Sequence, residues 1–390
     1  VGFLVGDFVG FAVGDVLGPI AQVFRNHSLR VADSVSDTVG KMISIKSLAG
    51  AALTGSLGVG VLAMAANAIE KNDVPKFSLT ANRFDLNTFK GRFCQQLRNC
   101  DPSSLVYSDE QIREAESTLK AFKAGESDAL AKSDADLWAA QKLAGSAVHP
   151  DTGEIIPRPF RMCGYVPYNG PVCVSMMAVQ STPGLIIFNW VNQSQNALVN
   201  YFNRNASSPS SNETLFKSYC AAVGAAVLVA FGLSQFIKRR YSPEQASKMM
   251  KFVAFPSSIV ASCSNCYIMR RPEIESGITV SDQYGSILAD GEKSSIAAKK
   301  AVEETVMSRA ILQIPVFFVP AMIMTIIPGP ASLAIPLTTL WTILSFGFGL
   351  PAAVAYFPQL GSVSVSELEP SLQEKLKAVG GDTVYYNKGL

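Results

Sequence analysis

Charge is what this chain is short of. Asp, Glu, Lys and Arg make up 16% of its 390 residues, and 48% are hydrophobic. Soluble proteins carry about 25% charged residues, and mean hydropathy here is +0.23. Lipid is therefore the expected solvent over part of the chain. The formal net charge of +2, with no dense basic run, excludes nucleic acid as a partner. Histidine is almost absent: His27 and His149 are the only two, too few for a His-based metal or catalytic centre. Seven cysteines at irregular spacing do not make a secreted disulfide framework. Cys263 and Cys266 form a C-x-x-C, but no second pair follows at zinc-site spacing, and the pair sits in an apolar stretch where small packing residues are the better reading. P-loop, G-x-S-x-G, H-E-x-x-H and dinucleotide fingerprints are all missing. No enzyme and no cofactor is expected. No secretory signal is present, so the sequons at Asn192, Asn205 and Asn212 carry no weight.

What is present is a series of apolar segments near spanning length. They lie at 172–191, 219–237, 252–269, 310–327 and 337–357, flanked by polar or charged residues such as Lys238, Arg239, Arg240, Arg270 and Arg271. An uncharged Gly/Ala-rich stretch at 48–69 is also long enough to span, since about 20 residues suffice. Lys and Arg are distributed so that the positive-inside rule gives no orientation. Proline interrupts the segments at Pro183, Pro256, Pro315, Pro320 and Pro351. Each removes a donor and frees a carbonyl that protein, water or solute must satisfy in lipid, and broken helices near mid-membrane are where many transporters hold their cargo.

Ahead of these segments, Gly2, Gly6, Gly10, Gly14 and Gly18 recur every fourth residue, the repeated form of a small-residue contact between membrane helices. Residues 70–150 read as soluble. Ser108 with Gln111 resembles a capping box that opens a polar helix, Gly125 closes it, and a second helix carries Leu137 and Trp138. His149-Pro150-Asp151-Thr152-Gly153-Glu154 contains turn chemistry, and a structural turn is favoured over a metal or acid–base site.

The most specific feature is the stretch from Asn189 to Arg204. On a helix, Asn192, Asn196, Asn200 and Asn203 fall on one face, with Asn189 one turn earlier and Gln193 beside them. Buried primary amides without partners cost roughly a few kcal/mol each. Neighbouring helices, water or a polar solute must satisfy them. Amides complement a carboxylate, an ammonium and a hydroxyl without a net charge to desolvate, which suits a neutral cargo. Asn265 is the expected opposing group.

From Phe84-Asp85, Thr88-Phe89 and Gly91-Arg92, through the His149–Glu154 turn, Arg161-Met162, Val166-Pro167, the asparagine stripe, Cys263, Asn265, Met269-Arg270, Ser308-Arg309 and Phe357-Pro358-Gln359, to Val384-Tyr385-Tyr386-Asn387-Lys388-Gly389-Leu390, the chain resembles the sideroflexins. Gln195 and Phe202 stand where that family has an aromatic and a threonine, and Tyr267 where it has a proline. The resemblance implies an all-α multi-pass protein of the mitochondrial inner membrane with about five transmembrane helices. It also implies transport of serine or related small neutral amino acids for one-carbon metabolism. The scarcity of Lys and Arg in the spans argues against a tricarboxylate cargo. Four regions are expected: an extension at 1–83 with one or two membrane-associated helices, a small soluble helical region at 84–170, the carrier region at 171–360, and a tail at 361–390. The partners expected are the lipid bilayer, the amino acid, and inner-membrane proteins docked through residues 1–70. The alternative is an accessory subunit of a large inner-membrane complex, with transport reduced or lost.

Overall fold

The computed structural model describes residues 45–71, 74–79, 81–149, 152–203, 212–282, 286–358, 360–377 and 382–388. The glycine-every-fourth segment at Gly2, Gly6, Gly10, Gly14 and Gly18 lies outside them. Helix α1 (Ile45–Lys71) is followed by α2 (Phe89–Asn99), α3 (Asp109–Ala124) and α4 (Asp134–Ala147). Next come α5 (Tyr165–Ala178), α6 (Thr182–Phe202), α7 (Asn212–Arg240), α8 (Pro243–Met250) and α9 (Ala254–Ser276). Helix α10 (Ser295–Gln313) runs through a π-helical segment (Ile314–Phe318) into α11 (Val319–Ile326), and α12 (Ala334–Tyr356) completes the bundle. The protein is all-α in class. Five of its helical stretches are long and apolar enough to cross a membrane: Ala49–Lys71, Phe216–Arg240, Pro243–Ser276, Ser295–Ile326 and Ala331–Tyr356.

That set differs from the expected one at its first member. The segment at 172–191 is two helices, because α5 ends at Ala178 and Ser181 caps a new helix by accepting from the Gly184 amide. Pro183 sits in the first turn of α6, where its missing N–H costs nothing. The other prolines differ in their settings. Pro256 occupies the first turn of α9, and Pro320 follows the π-helical segment inside the continuous stretch Ser295–Ile326. Pro351 lies inside an unbroken α12, as Pro171 and Pro272 lie inside α5 and α9. The π-helical segment holds Pro315 and is followed by Pro320, and the Pro315 carbonyl accepts the Ser345 hydroxyl of α12.

The helices pack in a closed circuit: α5 on α6, α6 on α7, α7 on α9, α9 on α10, α10 on α12, and α12 back on α5. The main core is built where α1, α2, α5, the π-segment and α12 converge, on Leu62, Leu97, Val166, Met176, Phe317 and Phe346. Helix α1 lies along α12 at very short range. A Cβ on Gly58 would come within 2.7 Å of Ile343 Cγ2, and one on Gly50 within 2.8 Å of Pro336 Cγ. The Thr54 hydroxyl donates to the Pro336 carbonyl at 2.9 Å. At its end, Glu70 holds two buried guanidinium groups, with Arg98 Nε at 2.7 Å and Arg83 Nε at 3.6 Å. The Gly/Ala-rich face of α1 is thus spent on its own chain. The opposite face presents Leu53, Leu57, Val61 and Met64 outward.

Local rules build the soluble helices. The Ser108–Gln111 capping box is formed in both directions, and Gly125 ends α3 in the left-handed region at φ 81°. Gly91 is required for a different reason: a Cβ there would lie 1.9 Å from the Asp85 carbonyl oxygen. The His149–Glu154 region is a turn held by its own backbone. Gly153 N–H donates to the His149 carbonyl at 2.9 Å, and His149 N–H donates to the Glu154 carbonyl at 2.8 Å. The last residues, expected as a tail, fold. Strands β1 (Ile278–Thr279) and β2 (Lys293–Ser294) pair antiparallel, as do β3 (Leu360–Ser364) and β4 (Thr383–Asn387), with α13 (Pro370–Lys377) between the latter two. Val280, Ala301, Val363, Leu372, Val384 and Tyr386 bury a second core beneath them.

Candidate functional site

Helix α6 carries the asparagine stripe into the interior. Asn189 is fully buried, its amide donating to Leu185 O at 2.8 Å and its carbonyl accepting the Ser257 hydroxyl of α9 at 3.3 Å. Asn203, at the far end, is exposed and structural: its amide donates at 2.8 Å to the Phe160 and Val199 carbonyls. Between these anchors, Asn192 and Gln193 are buried, and Asn196 and Asn200 half-buried. Asn196 Oδ1 accepts the Tyr165 hydroxyl of α5 at 2.8 Å. Among the described residues, the amides of Asn192, Gln193 and Asn200 have no direct hydrogen-bonding partner. The stripe therefore divides into staples at its ends and open polar groups in its middle.

Gln195 and Phe202 belong with the staples. Gln195 donates to the Pro159 carbonyl at 2.8 Å, and Phe202 stacks on Phe160 with ring centroids 4.9 Å apart. Both tie α6 to the turn before α5 and leave the open amides untouched. A further staple joins α6 to α7, where the Tyr219 hydroxyl meets Trp190 Nε1 at 2.8 Å and the Ser194 hydroxyl at 2.9 Å.

Asn265 is half-buried on α9 and makes no hydrogen bond to the stripe. Its neighbour Cys266 lies within electrostatic reach of the Arg309 guanidinium of α10. Sequence reasoning missed Tyr165, Asn169 and Arg309 as site residues. Tyr165 and Asn169 precede the apolar window at 172–191, and Arg309 falls one residue before the window at 310–327. The helix through Arg309 in fact runs from Ser295 to Ile326, so this charge lies within a candidate span. At the end of that polar column, Arg270 of α9 donates to Glu273 Oε2 at 2.6 Å, to the Thr305 hydroxyl at 2.7 Å and to the Lys388 carbonyl. Lys388 in turn pairs with Glu304 at 3.0 Å, so β4 is pinned across the ends of α9 and α10.

An apolar groove of 340 Å³ lies elsewhere, lined by Leu233, Ile237, Met249, Phe252, Pro256 and Phe318. None of the stripe residues lines it. Pro256 opens onto this apolar surface and not onto the amides.

The fold and the polar interior define a multi-pass membrane protein whose bundle encloses neutral amides. Comparison with known proteins gives the family. The family model described as Sideroflexins matches residues 78–390. Sideroflexin-5 of Homo sapiens is 36% identical over 328 residues, covering 82% of this chain and 94% of that protein. Sideroflexin-5 of Caenorhabditis elegans is 39% identical over 326 residues, 81% and 96% of the two chains. Sideroflexin-1 of Mus musculus is 33% identical over 325 residues, 81% and 98%. No solved structure matches. The chain belongs to the sideroflexin family, and α1 lies ahead of the residues that the family model matches.

Proposed function

We propose that the protein transports a small neutral amino acid, with serine as the leading candidate, across the mitochondrial inner membrane. The observation that carries this reading is the middle of the stripe. Asn192, Gln193, Asn196 and Asn200 face the bundle interior on α6, with amide groups left over after the helix staples are made. Such groups bind a zwitterion and a hydroxyl through hydrogen bonds that partly replace hydration. The test is uptake of labelled serine by vesicles reconstituted with the full chain. Uptake above that of empty vesicles is expected, with Asn192→Leu/Asn196→Leu slowing it about tenfold, the loss of one to two hydrogen bonds. Equal uptake by the two proteins would remove the stripe from the mechanism, and no uptake by wild type would remove transport.

One observation favours a second role, as a subunit of a larger inner-membrane assembly. Leu53, Leu57 and Met64 are 64%, 56% and 72% exposed along one face of α1, a row that lipid or a partner helix can cover. Because Leu62 and Ala66 of α1 belong to the core, the informative truncation removes residues 1–44 and leaves α1 in place. Migration of the gently extracted protein as a lone monomer would count against this role.

A further inference from the structure

The arginines buried in this fold are met by acids, among the described residues. Arg83 and Arg98 share Glu70, Arg161 faces Asp109 at 3.8 Å, and Arg270 is bound by Glu273. Arg309 is different. It is half-buried on α10, inside the candidate span Ser295–Ile326, and forms no ion pair among the described residues. The Cys266 thiol lies within electrostatic reach of the guanidinium and, being neutral, offers it no countercharge. A charge in this position is costly unless something neutralises it. Its place in the helix is also unusual, one turn before the π-helical segment Ile314–Phe318, a distortion frequent at functional sites.

The surroundings of Arg309 supply the other half of a receptor. The guanidinium lies within electrostatic reach of Tyr165 on α5, whose hydroxyl donates to Asn196 on the stripe. One turn along α5 from Tyr165 is Asn169, 2% exposed, with its carbonyl Oδ1 left without a hydrogen-bond partner. An orphaned buried acceptor and a half-buried cation without an ion pair thus lie near the same tyrosine. We propose that Arg309 anchors the carboxylate of an α-amino acid and that Asn169 Oδ1 receives its ammonium group, with Asn196 and Tyr165 lining the space between.

The chemistry is selective. An α-amino acid carries both charges on one carbon, so a receptor needs one cation and one neutral acceptor close together. A carboxylate pairs with a guanidinium through charge-assisted hydrogen bonds, the strongest such contact available in a bundle with so little charge. A di- or tricarboxylate would bring one or two further negative charges with no cation to meet them. An amine without a carboxylate would leave Arg309 unsatisfied. The assignment rests on the amino-acid reading above and goes further by naming the group that recognises the carboxylate.

The test uses the purified full chain and reads binding and transport separately. Binding is the rise in melting temperature on adding serine, serine methyl ester or ethanolamine. Transport is uptake of labelled serine into vesicles, competed by the same three compounds. Serine is expected to stabilise and compete, and the two compounds lacking a carboxylate to need roughly 10- to 100-fold higher concentration, the range for a hydrogen bond to a charged group. Arg309→Gln is expected to raise the KM for serine by a similar factor with Arg309→Lys recovering part of it, and Asn169→Leu to raise KM less. Methyl ester matching serine in both assays on wild type would overturn the assignment without any variant having to fold. So would a folded Arg309→Gln with unchanged KM, or wild-type protein that no serine concentration stabilises. Stabilisation by serine but not by its ester, with no uptake, would keep the assignment and overturn transport alone.

Discussion

Gly58 and Gly60 lie two residues apart on α1 and offer a matched pair of perturbations. A Cβ at Gly58 would sit 2.7 Å from Ile343 Cγ2 and 3.1 Å from Ile343 Cβ, whereas a Cβ at Gly60 meets nothing within 4 Å. Ile343 cannot yield easily: it is 2% exposed in the main core, and a β-branched side chain in a helix has one strongly preferred χ1 rotamer. Alanine at either site gains the same helix propensity, about 1 kcal/mol relative to glycine in water. That gain cancels when the two variants are compared. What remains is the overpacking at Ile343, about 1–3 kcal/mol. Gly58→Ala is therefore expected to melt below Gly60→Ala, with Gly58→Leu lower still and Gly60→Ala at or above wild type. Thermal unfolding of the full chain in one detergent, followed by intrinsic tryptophan fluorescence, reads the order directly. If Gly58→Ala and Gly60→Ala melt together, α1 does not seat on α12 through this face, and the packing argument for the extension fails.

Two other outcomes follow from buried polar groups. Glu70→Gln leaves the Arg83 and Arg98 side chains, 1% and 5% exposed, without their shared carboxylate. A loss of about 3–5 kcal/mol is expected for breaking a buried pair, and a denaturant midpoint equal to that of wild type would refute it. Burial pushes the Cys100 thiol up to about 12, with Cys163 beside it adding to the shift, and pushes Cys163 up to about 11. A thiol raised in the folded state contributes stability in full below the ordinary thiol range and loses it as pH climbs from about 9 toward 12. Melting temperature should therefore fall over that window, less steeply in Cys100→Ala. At pH 8, iodoacetamide should modify exposed Cys220 well before Cys100, and equal labelling rates would contradict the burial.

Features set by neighbouring residues were legible in the sequence, and features set by distant ones were not. The Ser108–Gln111 box and Gly125 specify α3 because each signal lies within one turn of the helix end it sets. The asparagine spacing likewise placed Asn192, Asn196 and Asn200 on one face. It could not say which amides were already used, because their partners Tyr165, Ser257 and Phe160 come from other elements. Proline acts by position. In a first turn, as at Pro183 and Pro256, the lost N–H was never going to bond within the helix. Arg309 was underread, because a hydropathy window starts where charge stops, whereas the helix continues through the charge. The C-terminal ribbon was missed for want of length: Val384 and Tyr386 alternate inward over only five residues, and their partner strand is twenty residues upstream.

The extension helix shows how a segment ahead of a family's shared region becomes part of its machinery. A helix with a long uncharged middle added to a membrane bundle has no hydrophobic driving force toward its neighbours there, because lipid tails are as apolar as its own side chains. It must be held by close approach and polar fixings. Helix α1 has both: Gly50 and Gly58 let its backbone reach Pro336 and Ile343, Thr54 bonds the Pro336 carbonyl, and Glu70 ties its end to α2 through Arg98. The helix it holds, α12, supplies the surface on which the polar interior rests. Phe346 packs edge-on against Tyr165 with centroids 5.2 Å apart, Gly170 meets Ile343, and Ser345 bonds the Pro315 carbonyl in the π-segment beyond Arg309. Ile343 thus touches Gly58 of the extension and Gly170 of α5, within one turn of the contact on Tyr165. A perturbation of the α1 seat is therefore expected to reach the proposed site through this packed side chain, read as a changed KM for serine in Gly58→Ala but not in Gly60→Ala.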